Sequence, residues 1–463
     1  MATITAISTP SGVGGIAVIR LSGPDAKSIA EGFLKPLSDH KAVFSQFVAE
    51  EETIDEVVAT YYKAPHSYTG DDTVEIACHG SLYIQQAILQ KLMTAGARLA
   101  EPGEFTQRAF LNGRLNLSQA EAVADLINST SEASNRLAMS QLRGGYQQKL
   151  KEMRQELLDL TALLELELDF SEEDLEFADR SRLLRLTNDI EQEAQRLVES
   201  FRTGNAVKNG VKVAIIGKPN VGKSTLLNAL IGDERAIVSD IPGTTRDTIE
   251  DTTTIDGVLV RFVDTAGLRH SDDPIEAEGI RRSQKAAQEA DVIVYVKDAA
   301  SEKSDDPDYP DYSKYSDFFI NHSYHSDISK NLITVLNKCD LAKDAVCGYQ
   351  PSQLSDQSVK PTDIQIRISA KQGTGLDKLK QSIVEPFKTK GDAAVLTNLR
   401  HYDAMQHLLD AIKQVRQGLD SQTPTDLVAI DLREAIYHIG AITGEVTTDE
   451  ILGTIFSRFC VGK

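Results

Sequence analysis

A glycine-rich segment with one lysine and one serine is the clearest chemical motif of the sequence. Residues 217–224 read GKPNVGKS, which fits the pattern G-x-x-x-x-G-K-[ST]. The motif lies between the apolar run VKVAII and the helical segment STLLNALI, which is the strand-to-helix context of a phosphate-binding loop. Backbone N–H groups would wrap phosphate oxygens, Lys223 would contact the β- and γ-phosphates, and Ser224 would bind Mg²⁺. The expected nucleotide contacts in this segment are Asn220, Val221, Gly222, Lys223, Ser224 and Thr225.

A second motif, DTAG at 264–267, follows the next predicted strand. Its carboxylate can hold the water shell of Mg²⁺, and the N–H of Gly267 can reach the γ-phosphate. The segment IPGTTRD at 241–247 lies between the two motifs and is the expected first switch, with Thr245 as the second Mg²⁺ ligand. The expected GTP contacts here are Thr245, Asp264, Thr265, Ala266 and Gly267.

The choice of base is predicted by two further loops, NKCD at 337–340 and SAK at 369–371. The Asp340 carboxylate only accepts hydrogen bonds, so it suits the N1–H and exocyclic NH₂ of guanine. The SAK loop is expected to supply an N–H to guanine O6. The expected contacts with the guanine nucleotide are Asn337, Lys338, Asp340, Ser369 and Ala370, and they favour GTP over ATP.

The residue after DTAG is Leu268, where signalling GTPases often carry the glutamine that orients the attacking water. Leucine cannot orient water, so either hydrolysis is slow or another group performs this task. Asn220 and Glu276 are the candidates.

Alternating strands and helices must position these loops. Apolar runs at 211–216, 258–263, 291–296, 331–336 and 364–368 predict a mainly parallel sheet with helical crossovers. Asp256-Gly257 predicts a hairpin that adds one antiparallel strand. Short β-branched runs before residue 118, at 15–21, 57–62 and 73–77, predict a compact α+β domain with one helix near 83–94.

Helical segments flank this α/β region on both sides. Leucines at 150, 157, 160, 164 and 168 have the spacing of an amphipathic helix, and an acidic stretch at 171–179 separates it from a second long helix. The tail after 397 returns to helix, with a break at Pro424. The economical packing is one helical domain into which the nucleotide domain is inserted.

Composition narrows the remaining possibilities for this chain of 463 residues. No apolar run is long enough to span a membrane, and no secretory signal is recognisable, so the cytoplasm is the expected location. The four scattered cysteines form no C-x-x-C pair, and Cys78, Cys339 and Cys347 are expected to be reduced thiols. A net charge of −20 argues weakly against unaided nucleic-acid binding.

The combination of motifs resembles the MnmE (TrmE-type) family of tRNA-modification GTPases over nearly the whole chain. The most specific segments are SYTGDDTVEIACHG (67–80), PGEFTQRAFLNGRLNLSQAEAVADLI (102–127), IPGTTRD and the terminal FCVGK (459–463). The resemblance implies a multidomain α/β, α+β and all-α protein, with a Ras-like P-loop G domain inserted into a helical domain. The implied boundaries are an N-terminal folate-binding and dimerisation domain at 1–118, helical parts at 119–209 and 387–463, and a G domain at 210–386.

The resemblance also implies a reaction, its cofactors and its partners. It implies K⁺-stimulated, Mg²⁺-dependent hydrolysis of GTP to GDP, and modification of C5 of the wobble uridine in certain tRNAs. The one-carbon donor would be 5-formyl- or methylene-tetrahydrofolate. The chain would act as a homodimer that forms a heterotetramer with an FAD-dependent partner.

Family functions are carried over only onto matching positions. Folate contacts would be Arg20, Glu75, Arg114 and Lys463, although the family usually has lysine at the position of Arg114. Glu276 matches the catalytic glutamate. The K⁺ site, which also contacts the nucleotide, would involve Asn220, Ser239, Ile241 and Thr244.

The C-terminal segment carries a possible second catalytic group. Thr447 and Glu450 have the spacing of a capping box, which predicts a short helix that ends by presenting Cys460. A thiol beside Lys463 is a candidate nucleophile or acid in the uridine chemistry. A small buried side chain with a purely structural role is a nearly equal alternative interpretation of Cys460.

Two alternative functions remain open at this point. A ribosome-assembly or regulatory GTPase switch would turn over GTP without binding folate. A folate-dependent one-carbon enzyme with a merely regulatory nucleotide would form product independently of GTP hydrolysis.

Overall fold

The structure is a computed structural model, and it describes most of the chain. The described residues are 1–169, 180–218, 220–232, 251–263, 285–299, 331–341, 348–349, 364–388, 394–421, 423–446, 448–457 and 459–462. They belong to two compact units. One unit consists of Met1–Ile127, Ser140–Gln195 and Asp403–Lys463, and the other consists of Asn128–Met139 and Arg196–Tyr402.

Strands and helices follow one another in a mixed order. The strands are β1 (Ile4–Ile7), β2 (Gly14–Ser22), β3 (Ala42–Ala49), β4 (Glu52–Tyr62), β5 (Thr73–Gly80), β6 (Arg98–Leu99), β7 (Val211–Gly217), β8 (Asp251–Ile255), β9 (Val258–Val263), β10 (Val292–Asp298), β11 (Asn331–Asn337), β12 (Gly348–Tyr349) and β13 (Ile364–Arg367). The helices are α1 (Ala26–Glu31), α2 (Leu82–Thr94), α3 (Glu104–Leu111), α4 (Leu117–Asn128), α5 (Glu132–Leu142), α6 (Gln147–Asp169), α7 (Arg180–Asn209), α8 (Lys223–Ile231), α9 (Leu376–Val384), α10 (Leu399–Asp420), α11 (Thr425–Thr443) and α12 (Asp449–Phe456).

The N-terminal sheet has the strand order β3-β4-β5-β2-β1-β6. Its strands pair antiparallel except for β1 and β6, which are parallel. One face of the sheet is covered, because alternate residues such as Ile19 and Ile76 form a buried core with Ile88 and Leu92 of α2. The side chains on this face form the hydrophobic core of the domain, and those on the opposite face are available for other contacts.

The second sheet has the order β12-β13-β11-β10-β7-β9-β8. Strands β9, β7, β10, β11 and β13 are parallel, and the β8–β9 hairpin and β12 add antiparallel edges. The hairpin turns at Asp256 and Gly257, as predicted. Since the carboxyl ends of parallel strands lie on one side of a sheet, the loops that follow β7, β10, β11 and β13 lie together there, where open α/β sheets bind their ligands.

The helical segment after the N-terminal domain packs against the C-terminal tail. Leu150, Leu157 and Leu160 of α6 are fully buried, which agrees with their predicted amphipathic spacing. Helix α6 packs along α11, which begins directly after the predicted break at Pro424. Two stretches distant in sequence therefore contribute to one compact unit.

Three local predictions need correction. The first 118 residues contain α1 and α3 as well as α2, and helices this short show little of the 3.6-residue period. The N-cap of α12 is Thr448, whose hydroxyl accepts from the N–H of Ile451 at 3.3 Å; the predicted cap Thr447 lies outside the described residues. Cys339, predicted to be a reduced thiol, is disulfide-bonded, whereas Cys78 is a free thiol as predicted, and Cys460 is also free.

Candidate functional site

The phosphate-binding loop joins β7 to α8, as its flanking sequence predicts. Gly222 is the N-cap of α8 and has φ +94°, a left-handed conformation that favours glycine. A Cβ atom at this position would overlap Nδ2 of Asn337. Only glycine therefore fits where this loop meets the NKCD segment, and the loop leads directly into the N-terminus of α8, a position that favours anions.

Lys223 is held at the mouth of this loop. Its Nζ donates to the carbonyl oxygens of Gly217 and Lys218, both at 2.8 Å. Burial lowers the pKa of the Lys223 ammonium group. A partly buried cation at the N-terminus of a helix suits a phosphate ligand, as the sequence predicts.

Asn337 connects the loops that contain the predicted nucleotide contacts. Its side chain is buried, its Nδ2 donates to the carbonyl of Val221 at 2.8 Å, and its Oδ1 accepts from the N–H of Ala370 at 3.0 Å. The phosphate-binding loop, the NKCD segment and the SAK loop are therefore joined through one amide group. Within the SAK loop, which is expected to supply an N–H to guanine O6, the N–H of Ala370 donates to Asn337 in this structure.

The remaining residues of the guanine-binding segment lie next to Asn337. Asp340 is exposed in a short 3₁₀-helix, Cys339–Leu341, where a ligand can reach its carboxylate. Ser369 is buried, and its hydroxyl accepts from the N–H of Gln372 at 3.3 Å. Nζ of Lys338 contacts Asp298 at 2.7 Å, and Asp298 is absent from the sequence-based set. The sequence signal that could have identified Asp298 is its position as an acidic residue at the end of an apolar strand.

The other predicted nucleotide, cation and catalytic residues cannot be placed. Residues Ser239, Ile241, Thr244, Thr245, Asp264, Thr265, Ala266, Gly267 and Glu276 lie outside the described residues. Of the expected Mg²⁺ and K⁺ ligands, Ser224 and Asn220 are described, and Asn220 has a positive φ of 61° within the loop. Within the described ranges, no group of three His, Cys, Asp or Glu residues could hold a metal ion.

A second cluster of charged and aromatic residues lies on the N-terminal sheet. Arg20 of β2 donates from Nε and Nη2 to Oε1 of Glu75 on the adjacent strand β5, at 2.9 and 2.7 Å. The guanidinium carbon lies 5.0 Å from the ring centroid of Tyr68 and 5.6 Å from that of Phe105. The sequence analysis predicted Arg20 and Glu75 separately, and the structure pairs them directly. It missed the two aromatic residues of the cluster, Tyr68 and Phe105.

Tyr68 is anchored to α3 by a hydrogen bond of 2.8 Å between its hydroxyl and that of Thr106. Burial raises the pKa of the Tyr68 hydroxyl. Two residues further along the same loop, Gly70 lies against Arg114: a Cβ at Gly70 would be 3.2 Å from Arg114 Cγ. The loop therefore contacts two of the predicted folate residues. The aromatic residues inside the motifs SYTGDD and PGEF were the signal for Tyr68 and Phe105.

The C-terminal segment is docked on the same N-terminal domain. The hydroxyl of Ser8 donates to the carbonyl of Gly462 at 3.0 Å, and the N–H of Gly103 donates to the carbonyl of Cys460 at 3.4 Å. Ile7 and Ser8 directly follow Ala6, which pairs with Arg20 in the sheet. Cys460 is exposed, and Lys463 lies outside the described residues. The terminal motif and Arg20 are thus brought to neighbouring parts of one domain.

No helix in the described part of the chain is sufficiently long and apolar to cross a membrane.

Comparison with known proteins adds independent information. The model of the MnmE helical domain matches residues 117–460, and that of the GTP-binding protein TrmE N-terminus matches residues 3–114. The tRNA modification GTPase MnmE of Parabacteroides distasonis is 50% identical over 480 residues, with 100% of both chains covered. The tRNA modification GTPase MnmE of Porphyromonas gingivalis is 48% identical, covering 100% of this chain and 98% of the relative. Among solved structures, the G domain of the T. maritima FeoB iron transporter matches 38% of this chain and 99% of that chain, with 27% identity and a TM-score of 0.25.

Proposed function

The chain belongs to the MnmE family of tRNA modification GTPases, and we propose that its GTP hydrolysis drives the modification of C5 of the wobble uridine in certain tRNAs. It is a GTP hydrolase that acts in tRNA modification. The proposed reaction is Mg²⁺-dependent and K⁺-stimulated, uses a folate one-carbon donor and requires an FAD-dependent partner. The alternative of a ribosome-assembly switch finds no support among these relatives.

The observation that carries the nucleotide part is the hydrogen bonding of Asn337. One buried amide ties the phosphate-binding loop to both loops that are expected to contact guanine. Binding of the base at Asp340 and of the phosphates at Lys223 is thereby mechanically connected. Mg²⁺ would neutralise developing phosphate charge, and the Ser224 hydroxyl is the described residue suited to hold it.

The folate part is supported by the cluster around Arg20. A guanidinium group paired with a carboxylate offers hydrogen bonds to a pterin, and the half-buried ring of Tyr68 beside it offers a flat apolar surface, whereas Phe105 is fully buried and supports the guanidinium from the core. Arg114 is exposed beside Gly70 of the loop that carries Tyr68, and its charge can attract the anionic tail of the ligand. These residue types fit a tetrahydrofolate, and Lys463 is the further cation we propose at this site.

Folate binding can be measured on the full-length protein with 5-formyltetrahydrofolate by calorimetry. Arg20→Ala removes a charged donor and should weaken binding by about tenfold or more. Arg433→Ala is the matched control, because Arg433 also pairs with a glutamate, Glu165 at 2.9 Å, but on α11. Absence of folate binding by the wild-type protein would refute this part and leave GTP hydrolysis untouched.

A homodimer is supported by the open face of the N-terminal sheet. Phe44, Val58, Ala77 and Val18 are successive cross-strand neighbours on that face. Phe44 is 62% exposed and Val58 is 42% exposed, and Ile16 on β2 is 70% exposed. An apolar patch of this kind is costly in water, and a second copy of the chain can cover it with the same patch in a two-fold dimer.

Sedimentation of full-length variants tests this interface. Phe44→Asp and Val58→Asp should convert a dimer into a monomer, since both place a charge in a patch that the dimer would bury. Leu427→Asp is the control, because Leu427 is similarly exposed but lies on α11. A dimer that survives both sheet substitutions would exclude this face.

The assembly with the FAD-dependent partner and with tRNA is proposed from the family alone. The decisive experiment is mass spectrometry of wobble uridines in tRNA from cells lacking this protein, with wild-type and Asp340→Asn complementation. Loss of the C5 modification and its recovery only with the wild-type chain are expected. An unchanged nucleoside profile would refute the tRNA-modification role proposed here.

A further inference from the structure

An ion pair joins two neighbouring strands at the edge of the sheet that carries the nucleotide loops. Nζ of Lys338 lies 2.7 Å from Oδ2 of Asp298. Asp298 is the last residue of β10 and pairs in register with Asn337, the last residue of β11. Lys338 directly follows Asn337, so the pair spans the two strand ends, and Asp298 itself belongs to none of the nucleotide-binding motifs.

The main chain around Lys338 is held on both sides. The N–H of Ala299 donates to the carbonyl of Asn337 at 2.8 Å, and the N–H of Cys339 donates to the carbonyl of Ile368 at 3.1 Å. Lys338 itself adopts the left-handed region with φ +64°. With the backbone held in this way, the long lysine side chain is the part whose freedom the ion pair can reduce.

Because the Lys338–Asp298 pair is partly buried, it contributes appreciably to holding the lysine side chain in place. The side chain of Lys338 is 32% exposed and that of Asp298 is 18% exposed. Partial removal from water strengthens a charge-assisted hydrogen bond relative to pairs on the open surface, which contribute little. The Asp256–Lys388 pair of the same unit is longer, at 3.1 Å, and more exposed.

We propose that Asp298 is a positioning residue for guanine-nucleotide binding, which acts by holding the side chain of Lys338 in the guanine-binding loop. A lysine ordered in advance loses less conformational entropy when the nucleotide binds, and this raises affinity. The role rests on nucleotide binding at the NKCD loop, which is part of the proposed function.

A double-mutant cycle on the full-length protein tests whether Asp298 acts through Lys338. Affinity is measured with a fluorescent GDP analogue. Asp298→Ala should weaken binding about tenfold, as expected for loss of a hydrogen bond between charged groups. In a Lys338→Ala background the same substitution should change affinity by less than about twofold, because the group it positions is gone.

Two further variants control for folding and for charge. Asp298→Asn keeps the shape and one acceptor, so its loss of affinity should be intermediate. Asp256→Asn breaks another Asp–Lys pair at the β8–β9 hairpin, which precedes β9 and so lies at the other edge of the parallel sheet. Asparagine tolerates the positive φ of 48° at that position, and nucleotide affinity should remain at the wild-type value.

The possible outcomes distinguish the positioning role of Asp298 from nucleotide binding at the NKCD loop itself. Wild-type affinity in Asp298→Ala, or an equal loss with and without Lys338, would overturn the positioning role while the GTPase assignment stands. Absence of nucleotide binding by the wild-type protein would instead refute binding at this loop. If thermal unfolding shows that Asp298→Ala does not fold, the cycle is completed with Asp298→Asn. A smaller effect of Asp298→Asn in the Lys338→Ala background then supports the positioning role, and an equal effect in both backgrounds overturns it.

Discussion

The substitution Gly462→Ala is expected to release the C-terminal segment from the N-terminal domain. Gly462 has φ +97°, and a Cβ there would overlap the carbonyl oxygen of Ile7 and lie 3.0 Å from its carbonyl carbon. Ile7 cannot give way easily, because β1 is held between β2 and β6. The methyl group therefore has to be accommodated by movement of the C-terminal segment.

The magnitude follows from the hydrogen bonds that dock the residues after Phe459, whose own side chain is buried with Leu117 and Phe456. The hydrogen bonds from Ser8 to Gly462 and from Gly103 to Cys460 contribute about 2 kcal/mol together. An alanine in the left-handed region alone costs about 1–2 kcal/mol, to which the overlap adds. Release of the residues after Phe459 is then the less costly response, so the loss in free energy of unfolding should not exceed about 2 kcal/mol.

Carboxypeptidase digestion of the native full-length protein measures the release directly. The terminal residues of Gly462→Ala should be removed faster than those of the wild type, and affinity for 5-formyltetrahydrofolate should fall. GTP hydrolysis should be preserved, since the phosphate-binding loop belongs to the other compact unit. Gly453→Ala adds the same methyl group where no atom lies within 4 Å, so it is the matched control.

Alanine at 453 should leave digestion unchanged and could stabilise α12, because alanine is a better helix former than glycine by about 1 kcal/mol. Equal digestion rates and equal folate affinity in Gly462→Ala and the wild type would refute this account of the C-terminal docking.

Three further outcomes are expected. Asp340→Asn should lower GTP affinity by roughly 30- to 1000-fold, or about 2–4 kcal/mol, in a direct binding titration, because an acceptor for guanine N1–H and NH₂ is lost; unchanged affinity would contradict the assignment of the guanine-binding loop. Hydrolysis should be much faster in K⁺ than in Na⁺ at equal ionic strength, by a factor that approaches the ~10³ typical of an internal cationic group, and should fall in Glu276→Ala. Equal rates in the two salts would exclude the cation mechanism, and undiminished turnover with intact GTP binding in the variant would exclude Glu276. Cys460→Ser should abolish tRNA modification, read by mass spectrometry, without loss of GTP hydrolysis or folding; full modification would rule out a catalytic thiol.

Much of the nucleotide domain could be predicted because its signals are local. The apolar runs at 211–216, 258–263 and 331–336 lie inside β7, β9 and β11, and the Asp256-Gly257 hairpin is found where its turn chemistry predicts it. The short helices α1 and α3 were missed, since six or eight residues carry little periodicity. The disulfide bond of Cys339 was missed because spacing alone did not reveal its pairing.

The sequence by itself determined which residues can do chemistry: the phosphate-binding loop, the guanine-binding loop and the terminal Phe-Cys-Val-Gly-Lys motif. Each is a short pattern in which backbone conformation and side-chain chemistry are set by adjacent residues. Only the tertiary structure decided which of them meet, because contacts such as Ser8 with Gly462, Arg20 with Glu75 and Asp298 with Lys338 join residues far apart in the chain. Such pairings depend on strand order and on how distant segments share a buried core, and no local pattern specifies either of these.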